Sequence, residues 1–311
     1  MSLDPQAIAL LQKVKESGVP PYESLPLNAA RRYYDKACAV ARGEPPEPYL
    51  IEDFTIPGPA NNLKVRSYRS SERSGLPILL FFHGGGYTIG SLDSHDAVCR
   101  HLCVGADCLV ISVDYRLAPE NKFPAAVEDA FSALNWVAGH ADELRADATR
   151  LAVGGDSAGG NLSAVTCLNA RAAGFPDICF QLLIYPGTDM TESFPSHREF
   201  GDGYLLTSSL LYLFRTNYLR EAKDRLDWRG SPLLAEDHRA LPAAHIITAG
   251  FDPLQDEGKA YANKLKAADV PVTYSHYEGM LHGFITQPGY VDKSLEALRE
   301  CGARLRQAFD C

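Results

Sequence analysis

Ser157 stands in the run Gly155-Asp156-Ser157-Ala158-Gly159, directly after the apolar stretch Leu151–Val153, and fits the pattern G-x-S-x-G. A serine on a sharp strand-to-helix turn needs small residues at both ±2 positions, because side chains there would collide. A second glycine-rich turn, His83-Gly84-Gly85-Gly86, follows another apolar stretch, Leu76–Phe82. Its backbone N–H groups are able to hold an oxyanion. Either turn alone is weak, since glycine punctuates many turns. Together, in this order, they point to acyl transfer through a serine.

A serine hydroxyl is a poor nucleophile until an imidazole takes its proton and a carboxylate orients that imidazole. In the arrangement built on such a turn the chain order is serine, acid, histidine, with the last two on loops after late strands. Ala244–Thr248 reads as a strand, and Asp252 lies in the loop Ala249-Gly250-Phe251-Asp252-Pro253 at its end. After the last strand, Glu278-Gly279-Met280-Leu281-His282-Gly283-Phe284 puts His282 on a glycine-flanked loop. Ser157, Asp252 and His282 meet the order. Asp189, after the preceding strand, is the rival acid; Asp256 and Glu257 fall a turn into the next helix and should point away. Of the nine histidines, His276 lies in a strand and His83 is expected to brace its glycine turn. His95, His101, His140, His197, His238 and His245 are assigned to helices, a cap or the surface.

Positioning these groups takes a sheet. Continuous apolar runs at Leu76–Phe82, Cys108–Val113, Leu151–Val153, Ile178–Ile184 and Ala244–Thr248, with Val272–His276 as a last strand, alternate with helical patterns. Those patterns fall at about residues 93–105, 124–139, 158–173, 255–268 and 291–309. The alternation indicates an α/β fold whose parallel sheet is covered on both faces. Tyr49–Ile56 and Leu63–Tyr68, joined without a helix, read as an antiparallel edge. Pro5–Glu16 and Asn28–Arg42 are helical, separated by Gly18-Val19-Pro20-Pro21. Between about 187 and 230 an aromatic-rich segment breaks the alternation. An insertion there would cover the carboxyl ends of the strands, where open α/β sheets bind ligands; an ordinary pair of packing helices is the alternative. The expected division is 1–45 as N-terminal cap helices, 46–186 and 231–311 as the catalytic core, and 187–230 as a cap insertion.

A chain of 311 residues, 46% hydrophobic, is long enough for one large α/β core. A net charge of −9 argues against nucleic acid or an anionic membrane as partner. The first thirty residues carry no basic region followed by an apolar stretch, so no signal peptide is expected. No run approaches the roughly 18 apolar residues of a membrane span, and a cytoplasmic location is expected. Cys38, Cys99, Cys103, Cys108, Cys167, Cys179, Cys301 and Cys311 show no zinc-type spacing and read as reduced, structural thiols; no metal site is expected.

The two glycine turns are joined by Asp114-Tyr115-Arg116-Leu117-Ala118-Pro119-Glu120, Phe123-Pro124-Ala125, Asp252-Pro253-Leu254-Gln255-Asp256-Glu257 and His282-Gly283-Phe284. This set resembles the hormone-sensitive-lipase family of carboxylesterases, the bacterial family IV esterases, over most of the chain from about residue 48. The resemblance implies an α/β-hydrolase fold, a mostly parallel central sheet with helices on both faces and a helical cap. It implies Ser157, Asp252 and His282 as triad, the amides of Gly85, Gly86 and Ala158 as oxyanion hole, and no cofactor. His83, Gly84, Asp156 and Glu120 are expected in support, with Arg116 as a partner for a buried carboxylate. Short- to medium-chain esters of small molecules are the implied substrates, with Tyr204, Leu206, Phe214, Leu254 and Ile285 as pocket walls and a homodimer through the last strand. Amide or carbamate hydrolysis on the same triad stays open, as does a noncatalytic receptor, against which the presence of His282 counts. Nucleotide binding does not: the glycine turns match neither G-x-G-x-x-G nor a P-loop with its lysine.

Overall fold

Seven consecutive residues without a charge can sit only where both faces of a strand are covered. β3 (Leu76–Phe82) is buried at every position, and its side chains divide between two cores. Ile78, Leu80 and Phe82 enter one; Leu79 and Phe81 enter the other. The computed structural model describes residues 2–310, so Cys311, one of the expected thiols, lies outside the described residues. Around β3 the sheet has eight strands in the order β1-β2-β4-β3-β5-β6-β7-β8. β1 (Leu50–Ile56) and β2 (Leu63–Arg69) form the antiparallel edge, β2 also running antiparallel to β4 (Leu109–Asp114). From β4 onward, β3, β5 (Ala146–Asp156), β6 (Phe180–Ile184), β7 (Ala243–Phe251) and β8 (Val272–Leu281) pair in parallel. All parallel strands therefore point their carboxyl ends to one side, where the candidate residues lie.

Helices α4 (Ala125–Gly139), α5 (Ala158–Ala173) and α8 (Gln255–Ala267) cover one face, contributing Leu134, Leu162 and Tyr261 to the first core. Helices α3 (Asp96–Ala106) and α9 (Asp292–Phe309) cover the other with Leu102, Leu298 and Leu305. Before β1 come α1 (Pro5–Glu16), begun by Pro5 and by the Asp4 carboxylate accepting the Gln6 N–H at 2.8 Å, and α2 (Leu27–Ala41). The segment 187–230 holds a short α6 (Ser196–Glu199) and α7 (Ser208–Tyr218). On α7 the buried residues Leu210, Phe214 and Tyr218 recur every fourth position, which makes one apolar stripe, while Tyr212 faces solvent. Leu206, Leu210 and Phe214 meet Ala30 of α2, Ile89 and Leu254 in a third, smaller apolar cluster. The insertion, the N-terminal helices and the loops after β3 and β7 thus share one contact.

Among the described residues no disulfide forms, and Cys38, Cys99, Cys103, Cys108, Cys167 and Cys301 are buried. No helix there is long and apolar enough to cross a membrane.

α3 and α9 cross at two glycines. A Cβ added at Gly302 would lie 3.0 Å from the Gly105 backbone, with no flexible side chain to give way. Gly302→Val is therefore expected to destabilise the fold by about 1–3 kcal/mol through overpacking, read as a lower guanidinium midpoint. Activity per folded molecule should be kept.

Candidate active site

The turn between β5 and α5 is a single residue. Ser157 takes φ +55° and ψ −116°, a conformation costly for a side chain bearing a Cβ and tolerated only where the surroundings enforce it. They do so from two sides. A Cβ at Gly155 or Gly159 would run into the carbonyl of Phe82, so the turn lies flat against the end of β3. On the other side the Ser157 N–H donates to the Ile184 carbonyl of β6 at 2.8 Å.

His282 follows the last residue of β8. Its Nε2 lies 2.9 Å from Ser157 Oγ, and its Nδ1 lies 2.8 Å from Asp252 Oδ2. Asp252 follows β7, is fully buried, and accepts the Leu254 N–H through Oδ1 at 2.8 Å. A carboxylate at Nδ1 fixes the proton on that nitrogen and leaves Nε2 as the acceptor facing the serine hydroxyl. The rival acids have other partners. Asp189 accepts from the Thr191 amide and from the Thr191 and Ser193 hydroxyls. Asp256 accepts the Ser196 N–H at 3.0 Å, and Glu257 accepts the Thr188 and Asp189 amides and meets His197 at 2.7 Å.

The N–H groups of Gly85, Gly86 and Ala158 have no acceptor among the described residues, and neither do those of Tyr87, Gly159 and Gly160 around them. Ala158 is the first residue of α5, where helical geometry leaves the amides unpaired. Gly85 (φ +112°) and Gly86 (φ +58°) hold the turn after β3 in the left-handed region. A Cβ at Gly86 would meet the Phe214 ring. Gly85, Gly86 and Ala158 line, with Ser157 and His282, a cavity of about 990 Å³. Tyr204, Leu206, Phe214 and Leu254 line it too, together with Tyr22 and Tyr34 from the N-terminal segment. Ile285 does not: it lies in the short 3-10 turn Phe284–Thr286, is fully buried, and packs into the core beneath α9.

Behind the glycine turn, His83 is fully buried, its Nδ1 2.8 Å from the Gly84 carbonyl and its ring stacked on Tyr115 at 4.3 Å. Gly84 donates its N–H to Asp156 Oδ1 at 2.9 Å. Glu120, expected in support, is not a buried carboxylate. It is exposed and pairs with Arg31 of α2 at 2.8 Å, because Arg31 also reaches the carbonyls of Thr88 and Ala118 in the same loop layer. Arg116 does not serve Glu120 or Asp156 but binds Asp129 of α4 at 2.7 Å. Two residues near the site lack any short sequence pattern: Arg31, and His95, which is fully buried with Nε2 3.0 Å from Asp156 Oδ1 rather than on a surface. His197, His238 and His245 are likewise buried.

Burial, with the neighbouring His95 second, depresses the His83 pKa to about 3. Between about pH 6.5 and 3 the unfolded chain then binds a proton that the native ring refuses, so His83 costs stability as pH falls below 6.5. From pH 7 to pH 5 the unfolding free energy read from guanidinium denaturation is expected to fall further for the unmodified chain than for His83→Asn, by up to about 1.4 kcal/mol per pH unit. Equal falls would contradict this assignment.

The comparisons with known proteins identify the fold and the family. A family model described as the alpha/beta hydrolase fold matches residues 79–286. The chain is 48% identical over 262 residues to the carboxylic ester hydrolase LipN of Mycobacterium tuberculosis, covering 82% of this chain and 70% of that one. It is 39% identical over 310 residues to the ethyl acetate hydrolase of Pseudomonas putida, covering 96% of both. Among solved structures, a hyperthermophilic esterase from Pyrobaculum calidifontis superposes with a TM-score of 0.95 at 38% identity, covering 99% of each chain. An ester hydrolase from the metagenome of Lake Arreo gives 0.96 at 40%, covering 99% of this chain and 100% of that one. The chain belongs to the α/β-hydrolase fold family, in the hormone-sensitive-lipase-like branch of carboxylesterases.

Proposed function

We propose that this carboxylic ester hydrolase acts on short- to medium-chain acyl esters through an acyl-enzyme on Ser157. The observation that carries the reading is the unbroken hydrogen-bond chain from Ser157 through His282 to Asp252, opening on a cavity beside the unpaired amides of Gly85, Gly86 and Ala158. Ester hydrolysis as such follows from relatives of 39–48% identity that are named for it.

In this reading His282 Nε2 takes the Ser157 proton as Oγ attacks the ester carbonyl. The buried Asp252 carboxylate stabilises the resulting imidazolium through its contact with Nδ1. The tetrahedral oxyanion is received by the Gly85, Gly86 and Ala158 amides, which are already oriented and need no rearrangement during the reaction. His282 returns its proton to the departing alcohol. A water, deprotonated by the same nitrogen, then attacks the acyl-enzyme and frees the acid. Segments 1–45 and 187–230 act as the cap, and Tyr204, Leu206, Phe214 and Leu254 bound the chain the pocket accepts. A largely apolar wall and an alcohol leaving group favour esters over amides.

Hydrolysis of p-nitrophenyl esters from acetate to palmitate is expected to peak among the short to medium chains. Ser157→Ala should lower kcat by at least about 10³-fold and Asp252→Asn by about 10⁴-fold, both with the fold retained. Undiminished activity in Ser157→Ala would overturn the mechanism. A chain inert on every ester but active on the matching anilides would turn the assignment toward amides.

A further inference from the structure

We infer that His95 is a positioning residue for the oxyanion turn, acting through Asp156 to hold the Gly84–Gly86 amides against the nucleophile. The inference rests on the catalytic reading above and adds to it a residue outside every motif of the sequence.

His95 immediately precedes α3, at the far end of the loop that begins with the oxyanion turn. Its ring is fully buried, and each nitrogen has a defined neighbour. Nε2 lies 3.0 Å from Asp156 Oδ1 and 3.3 Å from the Gly84 nitrogen, whose N–H is shared with Asp156, and Nδ1 lies 2.9 Å from Ser94 Oγ. Ser94 Oγ accepts the Ser91 N–H at 2.8 Å and has its own proton to share between the Ser91 carbonyl and Nδ1. With the ring proton on Nε2, His95 donates to the Asp156 carboxylate, an acceptor-only partner.

Asp156 is the residue before the nucleophile and is itself almost wholly buried. Its Oδ1 accepts the Gly84 N–H at 2.9 Å; its other oxygen has only the Tyr185 hydroxyl at 3.4 Å. A Cβ at Gly84 would strike this carboxylate, so the first glycine of the oxyanion turn is seated directly on it. A buried carboxylate without a strong partner is costly, and it relieves that cost by taking a proton or swinging away. Burial does work to raise the Asp156 pKa, but His95 and the Gly84 amide outweigh it and hold the carboxyl below its usual range. Removing His95 frees Asp156 to move, and Gly84 loses the anchor that sets where the next two amides point. A displacement of about 1 Å in such groups costs on the order of 10² in rate.

A packing role competes with this one, because the ring also lies among Phe81, His83 and Tyr34 at 5.6–6.4 Å between centroids. The two roles separate in kinetics. His95→Leu fills the space but cannot donate; His95→Gln keeps a donor able to reach Asp156. The unmodified chain, both variants and Ser157→Ala are compared on p-nitrophenyl butyrate and for inhibition by a trifluoromethyl ketone, which forms a tetrahedral adduct. His95→Leu is expected to lose about 10- to 100-fold in kcat with KM within about twofold, ketone inhibition weakening in proportion, and His95→Gln to recover most of the loss. An unchanged kcat in folded His95→Leu overturns the inference, as do equal losses in both variants with ketone inhibition intact. Should His95→Leu fail to fold, Ser94→Ala decides: a several-fold fall in kcat at constant KM supports the role, and an unchanged kcat overturns it. An unmodified chain inert on the ester, or a Ser157→Ala variant that keeps its rate, overturns the catalytic reading and this inference with it. A serine-dependent enzyme with neutral His95 variants overturns this inference alone.

Discussion

The carbonyl of Phe82, at the end of β3, occupies the space that a side chain at Gly155 or Gly159 would need. That close approach lets β5 turn into α5 across one residue, and it holds Ser157 at a positive φ that few side chains adopt. The turn cannot relax away from β3 because the Ser157 amide is bonded to β6 on its other side. Two consequences follow from the same geometry. The serine hydroxyl stands above the carboxyl edge of the sheet, and the first amide of α5, that of Ala158, stays unpaired beside it. Since β3 itself runs on into the second glycine turn, the candidate nucleophile and the candidate oxyanion amides share one rigid seam. His282 and Asp252 reach that seam from the next parallel strands, β8 and β7.

Segment 187–230 is fastened to the loop after β7 and to α8 by hydrogen bonds rather than by strands. Ser196 of α6 donates its hydroxyl to the Pro253 carbonyl at 2.6 Å and its amide to Asp256. His197 meets Glu257, whose carboxylate also gathers the Thr188 and Asp189 amides. Burial pushes the Glu257 carboxyl above its usual range, although His197 and the two amides work against it. For His197 burial acts to lower the pKa, but the Glu257 carboxylate overcomes it and the net shift is upward. On the opposite side Arg31 of α2 bonds the Thr88 carbonyl just beyond the oxyanion turn, and Glu120 steadies that arginine from the surface. Thus Asp256 and Glu257 serve a different end from Asp252, tying segment 187–230 to the start of α8, while Asp189 bonds only within its own loop, to Thr191 and Ser193.

What the sequence discloses follows the range of the interactions involved. The buried strands are legible because both faces need apolar residues within a short run, and the serine because steric exclusion demands glycines two residues away. Asp252 and His282 are legible only through chain order and the strand ends they follow. The start of β5 is not. Asp147, Thr149 and Arg150 lie outside the central core, where the pairing with β3 shifts register after Pro77, so no apolar run marks them. The pairings of His95 with Asp156 and of Arg31 with Glu120 join residues far apart in the chain, and neither partner needs a neighbour of any particular kind. Arg116 sits inside a recognisable motif, but its partner is set by how α4 packs, which the motif does not encode. Ile285 misleads for the converse reason. It lies three residues beyond His282, yet the tight turn that follows Gly283 rotates it into the core.

Chemistry and selectivity are therefore carried by parts with different freedom to change. The seam of β3, β5 and α5 admits almost no substitution, since backbone touches backbone at Gly155 and Gly159. The pocket walls at Tyr204, Leu206 and Phe214 belong to a segment outside the sheet, anchored at its ends and by one apolar cluster. A bulkier or smaller side chain at Leu206 alters the space in the cavity, whereas Tyr204 also packs on Phe251, the last residue of β7, at 5.3 Å between ring centroids. Phe214 reaches beyond the cavity too. Its ring lies where a Cβ at Gly86 would be, so its volume bears on the oxyanion turn as well as on the cavity. Changes at Leu206 should accordingly act on the shape of the cavity alone, whereas a change at Tyr204 also reaches the end of β7 and one at Phe214 also reaches the glycine turn after β3.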